Sequence, residues 1–579
     1  MRLLHHTIIL ATFCYSSLSA DLHAQIQLSE SVEAEVTNIV LLRTTLDLSK
    51  GSIALLTLDS AESVSIEAKH EEVSPRDFFL YDISTSKRKL VMLADRSGAY
   101  EITIRKSGVG KVAVTLTLNE IVSAEAAPNK KVGSVLRHWH SAHSPGAFVV
   151  ATQKGDVVFS GGFGYSNIEH AIEIGPRTVF DVASVAKQFT GVGIAMQVEQ
   201  GVLSLDADIR EVVPEAAELP DRVAIEQLIH HTGGIRDFHV AMWLGGWHDW
   251  NSPIERRDIL DFVKRQRGLN FSPGSRYAYS NTGYNLLAET IAISDVSQES
   301  FASWCDTNLF SPLGMDETIV IESTNQVIPG RASGYSLREG GFVNQPCLLA
   351  APGSSSILTT GKDMAKWMTN FDKGEIGGQE VLARLYDRGK LVGGEDVEYG
   401  YGLHHFNYRG ISGVWHGGRV AGFITYFIRI PELQFSVLVM SNQDRSQPID
   451  ALAGFVPQVF LWNHLERLEE PVRVDRRNSD VREPPATVRD QFLSEFTGTY
   501  FSAEFDCNYR IRIAGDGLVA HSPHRHVLRL RHVGRDEFEA NMLGLRFAFT
   551  RDEDNSIIGF NASIGDRVQN ASFILRHPE

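Results

Sequence analysis

Three short segments carry residue types that could do covalent chemistry on an acyl group. In VFDVASVAKQFTGVGIAMQVEQG, Ser184 and Lys187 stand three residues apart, and apolar residues recur at Val185, Phe189, Val192, Ala195 and Val198 up to Gly201. That period predicts a helix with Ser184 at its N-terminus, where serine is a favoured cap, and Lys187 on the same face one turn later. A serine hydroxyl needs a nearby base to become a nucleophile. A lysine serves if burial and the positive end of a helix lower its pKa. Ser-x-x-Lys also occurs as Ser84/Lys87 and Ser86/Lys89, in the polar, basic stretch STSKRK with no apolar helix behind it. Lys187 is the one set in an apolar helix, where an unpaired ammonium is costly and so points to function.

The second segment is FSPGSRYAYSNTGYNLLAETI, with a turn at Pro273-Gly274 and Tyr279-Ser280-Asn281 ahead of an apolar helix beginning near Tyr284. A phenol beside a lysine can pass protons between nucleophile and leaving group. An asparagine amide can hold a substrate carbonyl and the lysine together, or simply cap the helix. The third is VWHGGRVAGFITYFIRI, where His416, Gly417 and Gly418 precede a strand. Glycines there let backbones approach closely, and the strand edge could lay a substrate down as an extra strand and offer an N–H to an oxyanion. Competing triplets exist. Tyr165-Ser166-Asn167 precedes the serine, and His231-Thr232-Gly233 reads as a helix-ending loop.

SVAK, YSN and HGG in this order resemble the serine β-lactamase and penicillin-binding-protein family, whose signature is Ser-x-x-Lys, Ser/Tyr-x-Asn and Lys-Thr-Gly. The tyrosine version is similar to the branch holding class C β-lactamases, D-aminopeptidases, D,D-carboxypeptidases and esterases. Supporting phrases run over most of residues 135–445: VFDVASVAKQFT, GVLSLDADIREVVPE, LIHHTGGIRDF, FSPGSRYAYSNTGYNLLAE, LFSPLGMDET and GSSSILTTGKDMAKWM. The resemblance implies that Ser184 is acylated, Lys187 is its base or proton partner, and Tyr279 shuttles a proton to the leaving group. It implies that Asn281 orients substrate and lysine, and that the backbone N–H groups of Ser184 and Arg419 form an oxyanion hole. Gly417 and Gly418 belong to the same substrate-binding strand. His416 departs from the pattern, because many members have lysine there. A histidine is mostly neutral at pH 7, which favours a D-aminopeptidase, D,D-peptidase or esterase-like reading over an efficient β-lactamase. The resemblance implies no metal or organic cofactor, and a small ester, amide or peptide as substrate. The alternative is a penicillin-binding sensor or scaffold that kept the fold and lost turnover.

Elements must position these residues. The resemblance implies an α+β fold, an antiparallel sheet with flanking helices and a helical lobe, over 132–465. The strands FVVAT and DVVFS at one end and FITYFIRI and FSVLVMSN at the other suggest termini that share a sheet. Ahead of it, 25–124 shows period-two alternation, as in KVAVTLTL, and reads as a β-sandwich module. A charged, proline-bearing linker, 466–488, leads to short strands over 489–579, a small barrel or sandwich resembling a lipocalin-like barrel. The linker predicts that this barrel docks without sharing a continuous core, and the resemblance implies that it packs near the mouth of the Ser184 pocket.

The remaining expectations concern location and partners. Arg2, the apolar run TIILATFCY and the small residues SSLSA predict an export signal over 1–24, hence a periplasmic or secreted protein. The run is too short to span a bilayer, and no later segment is long and apolar enough for stable membrane insertion. A formal charge of −16 with no basic block argues against nucleic acid. Cys305, Cys347 and Cys507 show neither metal-type spacing nor a disulfide framework, and read as buried or idle thiols.

Overall fold

The computed structural model describes residues 26–32, 39–60, 64–70, 78–82, 87–94, 96–106, 112–247, 252–295, 300–444, 449–465, 490–515, 517–522, 527–540 and 544–576. The expected export signal, the linker at 466–488, and Ser84 and Ser86 lie outside these residues. The chain forms two compact units that part at Glu125 and Ala126.

The first unit is built of antiparallel strands in a five-stranded and a three-stranded sheet. Its alternating sequence puts every second side chain inward, so Leu56, Leu58, Leu90, Ile102, Ile104 and Leu116 form its own apolar core.

The second unit centres on a six-stranded antiparallel sheet in the order Asp156–Phe163, Ala147–Gln153, Phe435–Ser441, Phe423–Ile430, Ile411–Val420, His404–Tyr408. Its second and third strands come from opposite ends of the region, with Val150 paired to Leu438. Both are buried almost end to end, so the sheet is covered on both faces. Helices Pro128–Trp139, Ile449–Phe460 and Gly361–Lys373 pack on it. Between the strands lies a helical lobe in which Lys187–Glu199 packs against Asn281–Ser294.

Residues 498–576 close into an eight-stranded antiparallel barrel, its first strand Gly498–Ser502 pairing with its last, Val568–Arg576. Aromatic rings fill it; Phe560 stacks on Phe573 at 4.6 Å and meets Tyr500 edge-on at 5.1 Å. The expectation that this barrel docks without a shared core is corrected. One continuous apolar cluster runs from Phe148 and Phe189 in the sheet-and-lobe region to Phe505 and Phe573 of the barrel. The reason is local. Phe505 projects out of the barrel to stack on Phe262 of helix Arg256–Arg265, and the Tyr509 hydroxyl donates to the Leu244 carbonyl at 2.7 Å. Cys305, Cys347 and Cys507 are buried and form no disulfide among the described residues.

Candidate active site

The helix expected after Ser184 begins differently. Ala183–Ala186 is a 3₁₀ turn and the α-helix starts at Lys187. The Ser184 side chain caps nothing, because Ala183 just before it takes φ +48° and turns the chain sharply. A non-glycine residue held there stores strain of about 1–3 kcal/mol, and the gain is a hydroxyl aimed into the cleft. In the second segment the helix begins at Asn281, three residues earlier than expected. Its cap is Ser280, whose hydroxyl accepts from the Gly283 N–H. The Asn281 amide is thereby left for other work.

That work is to face Lys187. Lys187 Nζ lies 2.8 Å from Asn281 Oδ1, 2.7 Å from the Ser354 carbonyl and 3.2 Å from Ser184 Oγ. Its side chain is fully buried. Burial pushes its pKa well below the usual lysine range; the Asp237 carboxylate opposes this and the Arg567 guanidinium adds to it. Tyr279 covers the ammonium from one side, with its ring centroid 5.0 Å from Nζ. Burial raises the Tyr279 pKa, and a hydrogen bond with Ser184 works in the other direction. The phenol therefore keeps its proton at neutral pH.

His416 sits in strand Ile411–Val420, buried, with Nε2 3.1 Å from the Tyr399 hydroxyl and Nδ1 2.7 Å from the Gly417 carbonyl. A proton on Nδ1 donates to that carbonyl and lets Nε2 accept from Tyr399. Burial drives the His416 pKa well below the usual histidine value, with His404 and Lys187 adding to it. The imidazole is neutral at pH 7. Beside it, burial lowers His404 to about 4, and its ring stacks on Trp415 at 4.7 Å.

The two glycines differ in purpose. A Cβ on Gly418 would meet the Val182 carbonyl oxygen at 2.4 Å and Ser184 N at 3.1 Å, whereas one on Gly417 would reach only ordinary contact with Tyr426. Gly418 is thus where the strand backbone closes on the 3₁₀ turn that carries Ser184, and the close approach is to protein rather than to ligand. The ladder with His404–Tyr408 ends at His404↔Trp415, so on that side residues 416–420 have no strand neighbour among the described residues. Ser184, Tyr279, Asn281, His416, Gly417, Gly418 and Arg419 all line one pocket of about 970 Å³, with Lys187 directly beneath. The triplet Tyr165-Ser166-Asn167 serves elsewhere. Asn167 bonds Ser333 and the His170 N–H.

Asp237 and Arg567 escaped the sequence reading, and His231 was read only as part of a helix-ending loop. Asp237, wholly buried, accepts from both the backbone N–H and the side-chain amide of Asn281 at 2.7 and 2.9 Å, which fixes Asn281 Oδ1 toward Lys187. Its other oxygen caps helix Phe238–Leu244 through the Val240 N–H. His231 ends helix Ile225–Ile229, as its triplet suggested, but its ring also packs 4.3 Å from Tyr279 and its Nδ1 accepts from the Ser280 N–H. Arg567 comes from the barrel and lines the same pocket. Only Asp237 and His231 lay within a quoted phrase, LIHHTGGIRDF, and nothing in their spacing assigned them a role. Among the described residues no group of three or more His, Cys, Asp or Glu could hold a metal ion, and no helix is long and apolar enough to cross a membrane.

A sheet of this order, a helical lobe and a buried lysine bonded to a helix-leading serine define a class, and the comparisons agree with it. The beta-lactamase family model matches residues 132–456, more than half of the chain, and the chain belongs to that family. It is 28% identical over 302 residues to the D-aminopeptidase of Gluconobacter oxydans, a match spanning 52% of this chain and 56% of that protein, and so little more than half the relative's length. It is 26% identical to penicillin-binding protein 4* of Bacillus subtilis, across 62% of this chain and 80% of that one. In fold it is similar to the penicillin-binding protein homologue of Pyrococcus abyssi, with a TM-score of 0.52 at 22% identity over 77% of this chain and 99% of that chain.

Proposed function

We propose that the protein is an exported serine hydrolase that forms a covalent ester on Ser184 with small esters, amides or peptides. One observation carries this reading: the environment of the Lys187 amine. Two of its neighbours, Asn281 Oδ1 and the Ser354 carbonyl, can only accept, and both are close. A neutral amine gives them its two hydrogens, and its lone pair is left pointing at Ser184 Oγ, 3.2 Å away. Burial favours that neutral form. Lys187 then takes the hydroxyl proton as Oγ attacks the carbonyl carbon. The backbone N–H groups of Ser184 and Arg419 receive the charge that develops on the carbonyl oxygen. Tyr279, still a phenol, hands a proton to the leaving group and is replenished through Lys187. Water repeats the sequence in reverse roles and frees the acid. The likeness to a D-aminopeptidase supports an amide or peptide substrate, and the neutral His416 supports substrates that need no cation from the strand.

The test is labelling with a fluorophosphonate, followed by turnover of phenyl acetate. Wild type is expected to label at Ser184 and hydrolyse the ester, and Ser184→Ala to do neither while remaining folded. An alanine variant that hydrolyses at the wild-type rate removes Ser184 from its role.

A further inference from the structure

The turn between barrel strands Ile557–Ile564 and Val568–Arg576 reaches the pocket. Its backbone is clamped to the lobe. The Arg567 carbonyl accepts from the Asp237 N–H at 3.1 Å and from Asn270 Nδ2 at 2.9 Å, and the Gln569 N–H donates to Asn270 Oδ1 at 2.8 Å. Arg236 ties the same turn from beside it, donating to the Gln569 carbonyl at 3.0 Å. These bonds use main chain, so the Arg567 side chain is not needed for docking. It goes instead into the pocket, half-buried, with its guanidinium 4.9 Å from the centroid of the Tyr279 ring. Among the described residues it forms no ion pair and donates no side-chain hydrogen bond.

Five donors without an acceptor, set in a cleft beside the reacting phenol, are a receptor for an anion. At position 416 the strand places a buried, neutral imidazole and no cation. Arg419 and Asp450 are the other charged residues lining the pocket, and neither is placed against the Tyr279 ring. Tyr279 serves the leaving group, so a cation on its face borders the leaving-group half of the site.

We propose that Arg567 is the charge-selecting residue of the pocket: a guanidinium lent by the barrel, which takes the carboxylate of a substrate whose leaving group is anionic and disfavours one bearing an ammonium there. The inference rests on the acylation reading above. It moves the specificity determinant out of the sheet-and-lobe region and into a different part of the chain.

The experiment compares two esters of one acyl group, phenyl acetate and 3-acetoxybenzoate, which differ in one carboxylate on the leaving group. In the full-length wild type, kcat/KM is expected to favour the carboxylate ester. The preference is expected to fall tenfold or more in Arg567→Gln and to survive in part in Arg567→Lys. A ratio in Arg567→Gln within twofold of wild type overturns the proposal. A second arm needs no turnover. The Ser184→Ala protein is titrated with 3-hydroxybenzoate by calorimetry, alone and combined with Arg567→Gln. Binding that weakens tenfold or more with the second substitution supports the receptor; binding that is equal in both, or absent from both, overturns it. If wild type cleaves neither ester while binding depends on Arg567, the acylation reading fails and the anion receptor stands.

Discussion

At the scale of single residues, the proposed acylation depends on keeping one lysine neutral inside a hydrogen-bonded cage. This gives a pH prediction with a definite sign. On the proposed mechanism the active form is unprotonated, so kcat/KM on phenyl acetate is expected to rise as pH increases through the depressed Lys187 pKa and to level off above it. An acid limb near the ordinary lysine value of about 10.4 would mean that the amine is cationic at pH 7 and cannot be the base. The Asp237 carboxylate holds the lysine's pKa up, so Asp237→Asn is expected to move the limb to lower pH, whatever it does to the maximal rate. Stability is linked to the same group. Its pKa is lower folded than unfolded, so the unfolded chain binds the extra proton first as pH falls through about 10.4. The native state loses stability until the folded pKa is reached, and regains it as pH rises. Ser184, Lys187, Tyr279, Asn281 and His416 were legible because their motifs are short and local. Asp237 and Arg567 were not, because each acquires its role only by meeting a segment far away in sequence.

At the scale of elements, what matters is how closely the strand carrying His416 closes on the 3₁₀ turn that carries Ser184. Gly418→Ala forces a methyl group to within 2.4 Å of the Val182 carbonyl oxygen, and backbone must move to relieve it. The expected cost is about 1–3 kcal/mol in stability. The Ser184 labelling rate is expected to drop by on the order of 10²-fold, the usual penalty for a small misplacement of reacting groups. Gly417→Ala meets no such obstacle and is expected to retain the wild-type melting temperature. Equal effects of the two substitutions would contradict this account. The sequence showed an adjacent glycine pair but not which one touches what, because that depends on the sheet's curvature against the 3₁₀ turn. The 3₁₀ turn itself was unreadable. Apolar periodicity continues across Val185 and Phe189 and hides the change of winding at Lys187.

At the scale of the molecule, the sheet-and-lobe region and the barrel are bound by a buried ion pair as well as by a shared core. Arg236 Nη1 lies 2.9 Å from Glu504 Oε1, with side chains only 4% and 12% exposed, and also donates to the Gly268 carbonyl. Removing the acid strands the guanidinium. Glu504→Ala is expected to cost about 3–5 kcal/mol, read as a lowered midpoint in urea. A loss below about 1 kcal/mol would mean that water reaches the pair and that the apolar contacts alone hold the barrel. Arg236 is next to Asp237 in the chain, so a loosened barrel is also expected to disturb Asn281. The alternating strands announced a small β structure here. That it would share a core was not visible, because Phe505 and Tyr509 look like ordinary barrel residues until helix Arg256–Arg265 is placed beside them.

The second and third strands of the six-stranded sheet pair Val150 with Leu438. On a ribosome those partners are not contemporaries. At roughly 5–20 residues per second, on the order of 15–60 s separate the emergence of one strand from that of the other. Throughout that interval Ala147–Gln153, among the most water-averse stretches of the finished protein, has only the hairpin mate Asp156–Phe163 for company. The order of synthesis therefore leaves a sticky, half-made ribbon waiting for its last neighbours. A chain of this design needs either a chaperone to hold it or a helical lobe that folds early enough to hide it.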